Sequence, residues 1–458
     1  LLNFPQFGEI NMMPDIFELP GPKSNSVEGS LLDFGRDPLG FLTKCGREYG
    51  DIVPIYLGLT PACLLTNPEY IEQVLKERNL FIKSRGLRAL KHLLGEGLLS
   101  SEGDSWLRQR RLIQPIFHQK RITTYGNIMV AYTEQMLKTW HDGETRDIHQ
   151  DMMRLTLNIV MKSIFNCDLS DQAAQDVAHA LDVTMNWFDK KRQENFAFVE
   201  WLHKPKDISY ENAIQQMNKT IYQMINERRT SGENPGDLLS MLMEARDEVD
   251  GSQMSDRQLR DEIATLMLAG HETTSNTLTG VWVLLSRYPE VRHQLLAELQ
   301  QVLGERPANI TDLPQLPYTD MVIKEAMRIY PPVFTMAREA TQDCEIGGYQ
   351  VPAGCMIMMS QWVMHRHPRY FAEPEVFQPE RWRDDLEKNL PRGVYFPFGD
   401  GPRVCIGKSF ALLEAILLLA TIARKFELTL VPEHPIVAQA AITLRPAYGV
   451  KVMLKKVD

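Results

Sequence analysis

The chain has 458 residues, 44% of them hydrophobic and 24% charged, ordinary globular usage that excludes a disordered, collagen-like or fibrous protein. Lys+Arg 50 against Asp+Glu 59 leave a net charge of −9, which argues against general electrostatic affinity for nucleic acid or anionic lipid. At roughly 150 residues per domain the length allows up to about three domains, or one large one.

The six cysteines (Cys45, Cys63, Cys167, Cys344, Cys355, Cys405) are scattered, without a C-x-x-C pair or a dense framework, which is the usage of a reducing compartment. No stretch approaches the ~20 apolar residues of a membrane-spanning helix; the strongest, 411–423, carries Glu414. The expectation is a soluble cytoplasmic protein. Because the chain begins at Leu1, an upstream anchor stays open.

Taken in order, 51–57 and 62–66 read as an early hairpin. From about Pro68 to Glu325 apolar residues recur at three and four, broken by His141-Asp142-Gly143 and by 231–236, so this span is expected to be helical. Strands are expected only toward the ends, within 344–360 and 428–454. With no repeat, low-complexity tract or long linker, one mostly α domain with small β-sheets (19–458) follows a lead segment (1–18).

The longest helix starts at the Ser255-Asp256 cap and runs to about Arg287, before Pro289. At 1.5 Å per residue it spans roughly 45 to 50 Å. Gly270 interrupts its apolar row of Ile263, Met267, Thr274, Leu278, Val281 and Leu285, and a polar run, His271 to Asn276, follows at once. Mid-helix glycine costs about 1 kcal/mol relative to alanine. A close helix crossing explains the glycine alone, whereas a ligand against the backbone explains both features.

The segment Phe398-Gly399-Asp400-Gly401-Pro402-Arg403-Val404-Cys405-Ile406-Gly407 precedes an apolar helix, 408–425. It is not a dinucleotide loop, because Val404 stands at the third glycine, nor a phosphate loop, because Pro402 stands at the first. His271-Glu272 is not a zincin motif, because Ser275 replaces the second histidine. What remains is a lone cysteine at a helix start, where unpaired N–H groups and the helix dipole favour a thiolate, a metal ligand.

This segment resembles the haem-binding loop F-x-x-G-x-R-x-C-x-G of the cytochrome P-450 family, with Phe398, Gly401, Arg403, Cys405 and Gly407 at its five fixed positions. By chance such a match is expected on the order of 10⁻⁴ times in a chain this long. The resemblance implies haem b, with Cys405 as axial iron ligand, Arg403 on a propionate, Phe398 packed over the thiolate, and Gly401 and Gly407 admitting backbone close to sulfur and ring. Ala269-Gly270-His271-Glu272-Thr273-Thr274 resembles the family's oxygen-binding stretch. Thr273 then competes for the Ala269 carbonyl one turn back and opens a groove for dioxygen and water, with Glu272 as proton source. Ala269 and Gly270 would lie against the haem.

Glu325-Ala326-Met327-Arg328 resembles the family's E-x-x-R, and Arg381, in Phe377 to Trp382, the arginine that completes a buried Glu-Arg-Arg scaffold. Trp106 and Arg110, on one helical face, and Arg338 resemble further haem contacts; His92 and His118 read as structural.

The resemblance runs from about residue 19 to the C-terminus and implies a single P-450-like fold with the long helix over haem, inserting one oxygen atom of dioxygen into an apolar substrate. With no flavin or iron–sulfur signature in the chain, electrons are expected from a separate ferredoxin or flavin reductase, docking on Arg108, Arg110, Arg111, Arg403 and Lys408. A monomer without nucleic-acid partners is expected. Alignment with the family places the substrate pocket at 81–94, 184–201, 266–273, 333–336 and 441–442, including Leu87, Val333, Phe334 and Ile442. Such a lining suits a fatty acid, terpenoid or other lipid-like molecule, and Arg85, Arg88 and Lys91 are either a carboxylate anchor or entrance surface. A peroxide-driven enzyme, and a non-catalytic haem or lipid carrier, are the alternatives.

Overall fold

The computed structural model describes residues 13–23, 29–168, 171–193, 208–246, 251 and 253–457. Ser255 caps the central helix, its side chain accepting from the Gln258 N–H at 3.2 Å, and Asp256–Arg287 continue for 32 residues. Almost every residue from Leu259 to Leu285 is buried, so this helix is wrapped on all sides instead of showing one apolar stripe. Around it pack Ile148–Phe165, Ile208–Ser231, Pro317–Ile329 and Lys408–Ala423. A Cβ on Gly270 would come within 2.9 Å of Val160 on Ile148–Phe165. The close crossing therefore accounts for the glycine, and no cofactor is needed to explain it.

A five-stranded sheet has the order Ile52–Leu57, Thr60–Leu65, Met356–Met359, Met336–Ala340, Phe81–Lys83. Its pairs are antiparallel except the second, which sets Cys63 beside Ile357 in parallel. Both faces are buried, and alternate residues serve two separate cores, as a period of two requires. Cys63, Leu65, Ile357 and Met359 join Ile16 and Trp382 on one face, while Ala62, Leu64, Met356 and Met358 join Phe41 and Phe334 on the other.

Four features depart from expectation, the first being that the strand Met336–Ala340 precedes the span 344–360. The strands Phe81–Lys83 and Thr145–Asp147 lie inside the span expected to be helical; the latter pairs with Lys451–Lys456, which also pairs with Phe426–Leu430. The second strand begins at Thr60, ahead of residue 62. Of the lead segment, Ile16 is fully buried and the Gln350 N–H donates to Pro14 O at 3.0 Å, so a boundary at residue 18 cuts through packed structure.

The C-terminal half is held by one carboxylate. Glu325 accepts from Arg328 Nε and Nη2 at 2.8 Å each, from Arg381 Nε at 2.8 Å, from Trp382 Nε1 at 2.8 Å and from the Gln378 N–H at 3.1 Å. Glu325 and Arg328 are 0% exposed and Arg381 9%. Removing the acid from a dry pair strands the cations. Glu325→Ala is expected to cost about 3 to 5 kcal/mol, read as a lower chemical-unfolding midpoint; an unchanged midpoint would show that the arginines find other partners.

Candidate active site

The cysteine loop is shaped by its own backbone and by one glycine. The Cys405 N–H donates to Phe398 O at 2.9 Å and the Val404 N–H to Gly401 O at 3.1 Å. Gly401 has φ +69°, and a Cβ there would sit 2.3 Å from Leu75 O. Its role is thus a close approach to the helix Pro68–Lys76, not to the ring. Gly407, the last residue before Lys408–Ala423, does lie against sulfur: a Cβ would be 3.9 Å from Cys405 Sγ. Arg110 donates to Val404 O at 2.7 Å, so it braces the loop. Lys408 Nζ lies 5.8 Å from the Phe398 ring centre.

Burial pushes the Cys405 thiol up from its ordinary value, and this outweighs the Gly407 and Lys408 N–H groups and the Arg110 and Lys408 charges, which favour a thiolate. The donors expected at the helix start are present, and coordination to a metal would deprotonate the thiol outright. The residue is nonetheless accessible.

The central helix opens at one turn. Between the buried runs 259–268 and 274–285, Ala269 is exposed and Gly270 and Thr273 are half-buried. Thr273 Oγ1 donates to Ala269 O at 2.8 Å, the competition that loosens a helix. Glu272 turns elsewhere: it is buried and accepts from Thr443 Oγ1 at 2.6 Å, with Asn276 Nδ2 on the same hydroxyl at 3.3 Å. Burial raises the Glu272 carboxyl, against the Thr443 bond and the Arg445 charge. The two expected catalytic side chains therefore leave the helix in different directions. Thr443, next to Ile442, carried no sequence signal.

A second set of residues is short of negative charge. Arg403 is paired with Glu102 and lies 4.7 Å from the Trp106 ring centre, yet its buried Nε and Nη1 have no partner. Burial, then the Arg403 charge, pushes Arg338 down to about 10 and Lys83 down to about 7, against Glu102. Lys83 Nζ donates to Leu98 O at 3.0 Å and Ser101 O at 2.6 Å. Three buried cations facing mainly Glu102, with guanidinium N–H groups to spare, suit a dianionic ligand. Together with the accessible sulfur and the bare turn of the central helix, they fit a haem and its two propionates. Lys83 and Glu102 escaped the sequence reading because each acts across the fold; Glu102 also takes the Lys83 N–H at 2.7 Å.

The pocket residues divide. Leu87 and Ile442 are half-buried at the margin of the main core and Val333 is half-buried, but Phe334 is 4% exposed in the cluster with Phe41 and Val53 and leaves the lining. Residues 194–201 lie outside the described residues. The basic side chains are partly compensated: Arg85 at 3.0 Å and Arg88 at 3.1 Å share one carboxylate, Glu339, and Lys91 pairs with Glu96 at 2.8 Å. The expected docking patch is thinner too, because Arg403 is buried and Arg110 is turned to the loop.

These contacts make the ligand role of Cys405 testable. Cys405→His keeps a group able to hold haem but removes the thiolate, so the red-shifted Soret band of the ferrous carbonyl complex is expected to vanish while haem is retained. A retained band would exclude Cys405.

Among the described residues no helix is long and apolar enough to cross a membrane. The family profile described as Cytochrome P450 matches residues 19–452. Cyclooctat-9-en-7-ol 5-monooxygenase of Streptomyces melanosporofaciens is 36% identical over 411 residues, 90% of this chain and 89% of the relative. Pentalenene oxygenase of Streptomyces avermitilis is 32% identical, over 92% of this chain and 94% of its own. Cytochrome P450 4d2 of Drosophila melanogaster is 31% identical, over 95% and 93%. The chain is an oxygen-incorporating oxidoreductase that uses haem b, and it belongs to the cytochrome P450 family.

Proposed function

We propose that this enzyme oxygenates a neutral, terpenoid-like hydrocarbon, with electrons delivered by a separate ferredoxin or flavin reductase. The observation that carries the substrate reading is the pairing of Arg85 and Arg88 with Glu339 and of Lys91 with Glu96. A fatty-acid carboxylate would compete with Glu339 and Glu96 for these three cations. Half-buried Leu87, Val333 and Ile442 offer apolar contact, which suits a hydrocarbon without a charged end. The relatives named for acting on cyclooctat-9-en-7-ol and pentalenene support the same class.

Bound haem supplies dioxygen activation and transfer of one oxygen atom to the substrate. The chain's own residues hold and exclude: Arg403, Arg338 and Trp106 seat the group, Phe398 shields the sulfur, and Arg110 fixes the loop. Thr273, its proton shared with Ala269 O, presents a hydroxyl oxygen to water in the open turn. Glu272, whose carboxyl burial shifts upward, is a proton donor when its carboxyl swings from Thr443 toward that water.

A titration of the oxidised enzyme, read by haem spin state, tests the substrate class. Cyclic terpene hydrocarbons are expected to bind about tenfold or more tighter than fatty acids of equal carbon count, a difference of ~1.4 kcal/mol. Tighter fatty-acid binding would overturn the reading. Turnover with a reductase system, with peroxide and with neither separates the monooxygenase from a peroxide-driven enzyme and a carrier.

Thr273→Ala keeps helix propensity and haem and substrate binding. Electron consumption is expected to persist while the ratio of product to electrons falls about tenfold or more, with peroxide released, because a positioned proton-transfer group typically contributes about 10²- to 10⁴-fold. An unchanged ratio would assign proton delivery elsewhere.

A further inference from the structure

Three consecutive charged residues, Arg260, Asp261 and Glu262, are buried in the second turn of the central helix. Successive side chains leave a helix about 100° apart, so three in a row stay dry only where other segments wrap it. One such segment is the loop 95–101, which belongs to no helix or strand, so that its backbone polar groups need partners elsewhere. Two of those partners are the acids. Asp261 Oδ2 accepts the Glu96 N–H at 2.9 Å, and Glu262 Oε2 the Leu98 N–H at 2.9 Å.

The carbonyls of the same two loop residues are taken by donors from other elements. Gln109 Nε2 donates to Glu96 O at 2.6 Å, and Lys83 Nζ to Leu98 O at 3.0 Å and Ser101 O at 2.6 Å. The loop comes this close to the helix because of a glycine: Gly95 has φ +59°, and a Cβ there would overlap the Asp261 carboxyl. Arg260 pairs with Asp261 Oδ1 at 3.0 Å and donates to Leu93 O at 2.7 Å, so Asp261 has a cation beside it. Glu262 does not. It is fully buried, and among the described residues its second oxygen has no hydrogen-bond partner, an arrangement that costs free energy a leucine would not. Burial pushes its carboxyl up to about 8, against the Leu98 bond. At neutral pH it is therefore mostly uncharged, and what it offers the loop is an oxygen.

We propose that Glu262 is a positioning residue for the haem site: by holding the Leu98 N–H it fixes the loop whose Leu98 and Ser101 carbonyls hold the Lys83 ammonium, and so keeps that cation in the cluster with Arg338 and Arg403. This rests on the assignment of that cluster to the haem propionates and is independent of the substrate class. The central helix then meets the haem site twice, directly at the open turn of Ala269 and Thr273, and two turns earlier through an acid, a loop backbone and a lysine.

The test needs no substrate. Haem release from the oxidised holoenzyme into excess apomyoglobin is timed for Lys83→Met, Glu262→Leu, Glu262→Gln and the double Lys83→Met, Glu262→Leu. Lys83→Met is expected to release haem about tenfold faster, the worth of one hydrogen bond to a charged group, and Glu262→Leu about threefold faster or more. The double is expected to be no faster than Lys83→Met alone, as residues acting through one another behave. Glu262→Gln keeps a carbonyl oxygen for the Leu98 N–H and is expected to match the parent. The thiolate Soret band of the ferrous carbonyl complex is expected to persist throughout.

Release from Glu262→Leu at the parent rate overturns the proposal. So does Glu262→Gln as fast as Glu262→Leu, which would mean that the acid acts by its charge, and so does a double whose acceleration is the product of the two singles, which would mean that Glu262 acts by another route. Lys83→Met at the parent rate overturns it as well, because the lysine would then hold nothing, and loss of the Soret band in Glu262→Leu would put the effect at the sulfur. If Glu262→Leu does not fold, Glu262→Asp decides: one methylene shorter, it falls short of the Leu98 N–H, so faster release is expected and the parent rate overturns the proposal. A wrong substrate class would leave all of these rates as they are.

Discussion

Glu325 gathers five donors from Arg328, Arg381, Trp382 and Gln378 in a site without solvent. Against a well-packed apolar replacement such a pair brings little or no net stability; what it brings is register. The remaining Arg328 N–H groups go to the carbonyls of His365, Pro374 and Val376, and those of Arg381 to Ala372 and Val376. A stretch with little regular structure is thereby pinned through its backbone. His365 passes the constraint on: its Nε2 accepts the Phe396 N–H at 3.1 Å, two residues before Phe398. Burial and the Arg328 and Arg366 charges push its pKa well down, which keeps that nitrogen an acceptor. The position of the cysteine loop therefore depends on a carboxylate in another element.

The opposite imbalance marks the other side of the site. At Glu325 every guanidinium nitrogen of Arg328 and Arg381 has an acceptor, whereas Lys83, Arg338 and Arg403 share chiefly Glu102, and two guanidinium nitrogens of Arg403 have no acceptor. Buried cations without partners oppose folding, and a group that supplies the missing charge binds the folded form and stabilises it. One cluster is complete in the protein alone, and the other is completed by its ligand. This contrast separates scaffold from binding site without reference to any motif.

Legibility followed the same division. The central helix was readable to within a residue because its cap, period and terminating proline are local signals, and Thr273 found Ala269 because four residues make one turn. The Glu325–Arg328 pair was readable because it is local, and Arg381 only through resemblance. Phe81–Lys83 and Thr145–Asp147 were invisible because three residues show no period, and their partners lie hundreds of residues away. Glu102 and Thr443 were missed for that reason also. Phe334 was drawn from alignment with the family, which carries no signal for its packing beside Phe41 and Val53.

The polar run His271 to Asn276 shows where a motif stops being one object. Successive residues in a helix point about 100° apart, so three neighbours meet three environments. Glu272 reaches Thr443 near the C-terminal hairpin, Thr273 bonds back to Ala269 in the open turn, and Thr274 is buried with its Oγ1 at 3.4 Å from Gly270 O. His271 is buried between Met267 O, at 3.0 Å from its Nδ1, and the helix Ile148–Phe165, whose Thr156 donates to His271 O at 2.9 Å. Burial drives its pKa down to about 4, so it is neutral and structural. A run that reads as one acid–alcohol pair in sequence is, in space, a set of separate attachments around one bare turn. The bare turn exists because each neighbouring polar group is engaged elsewhere.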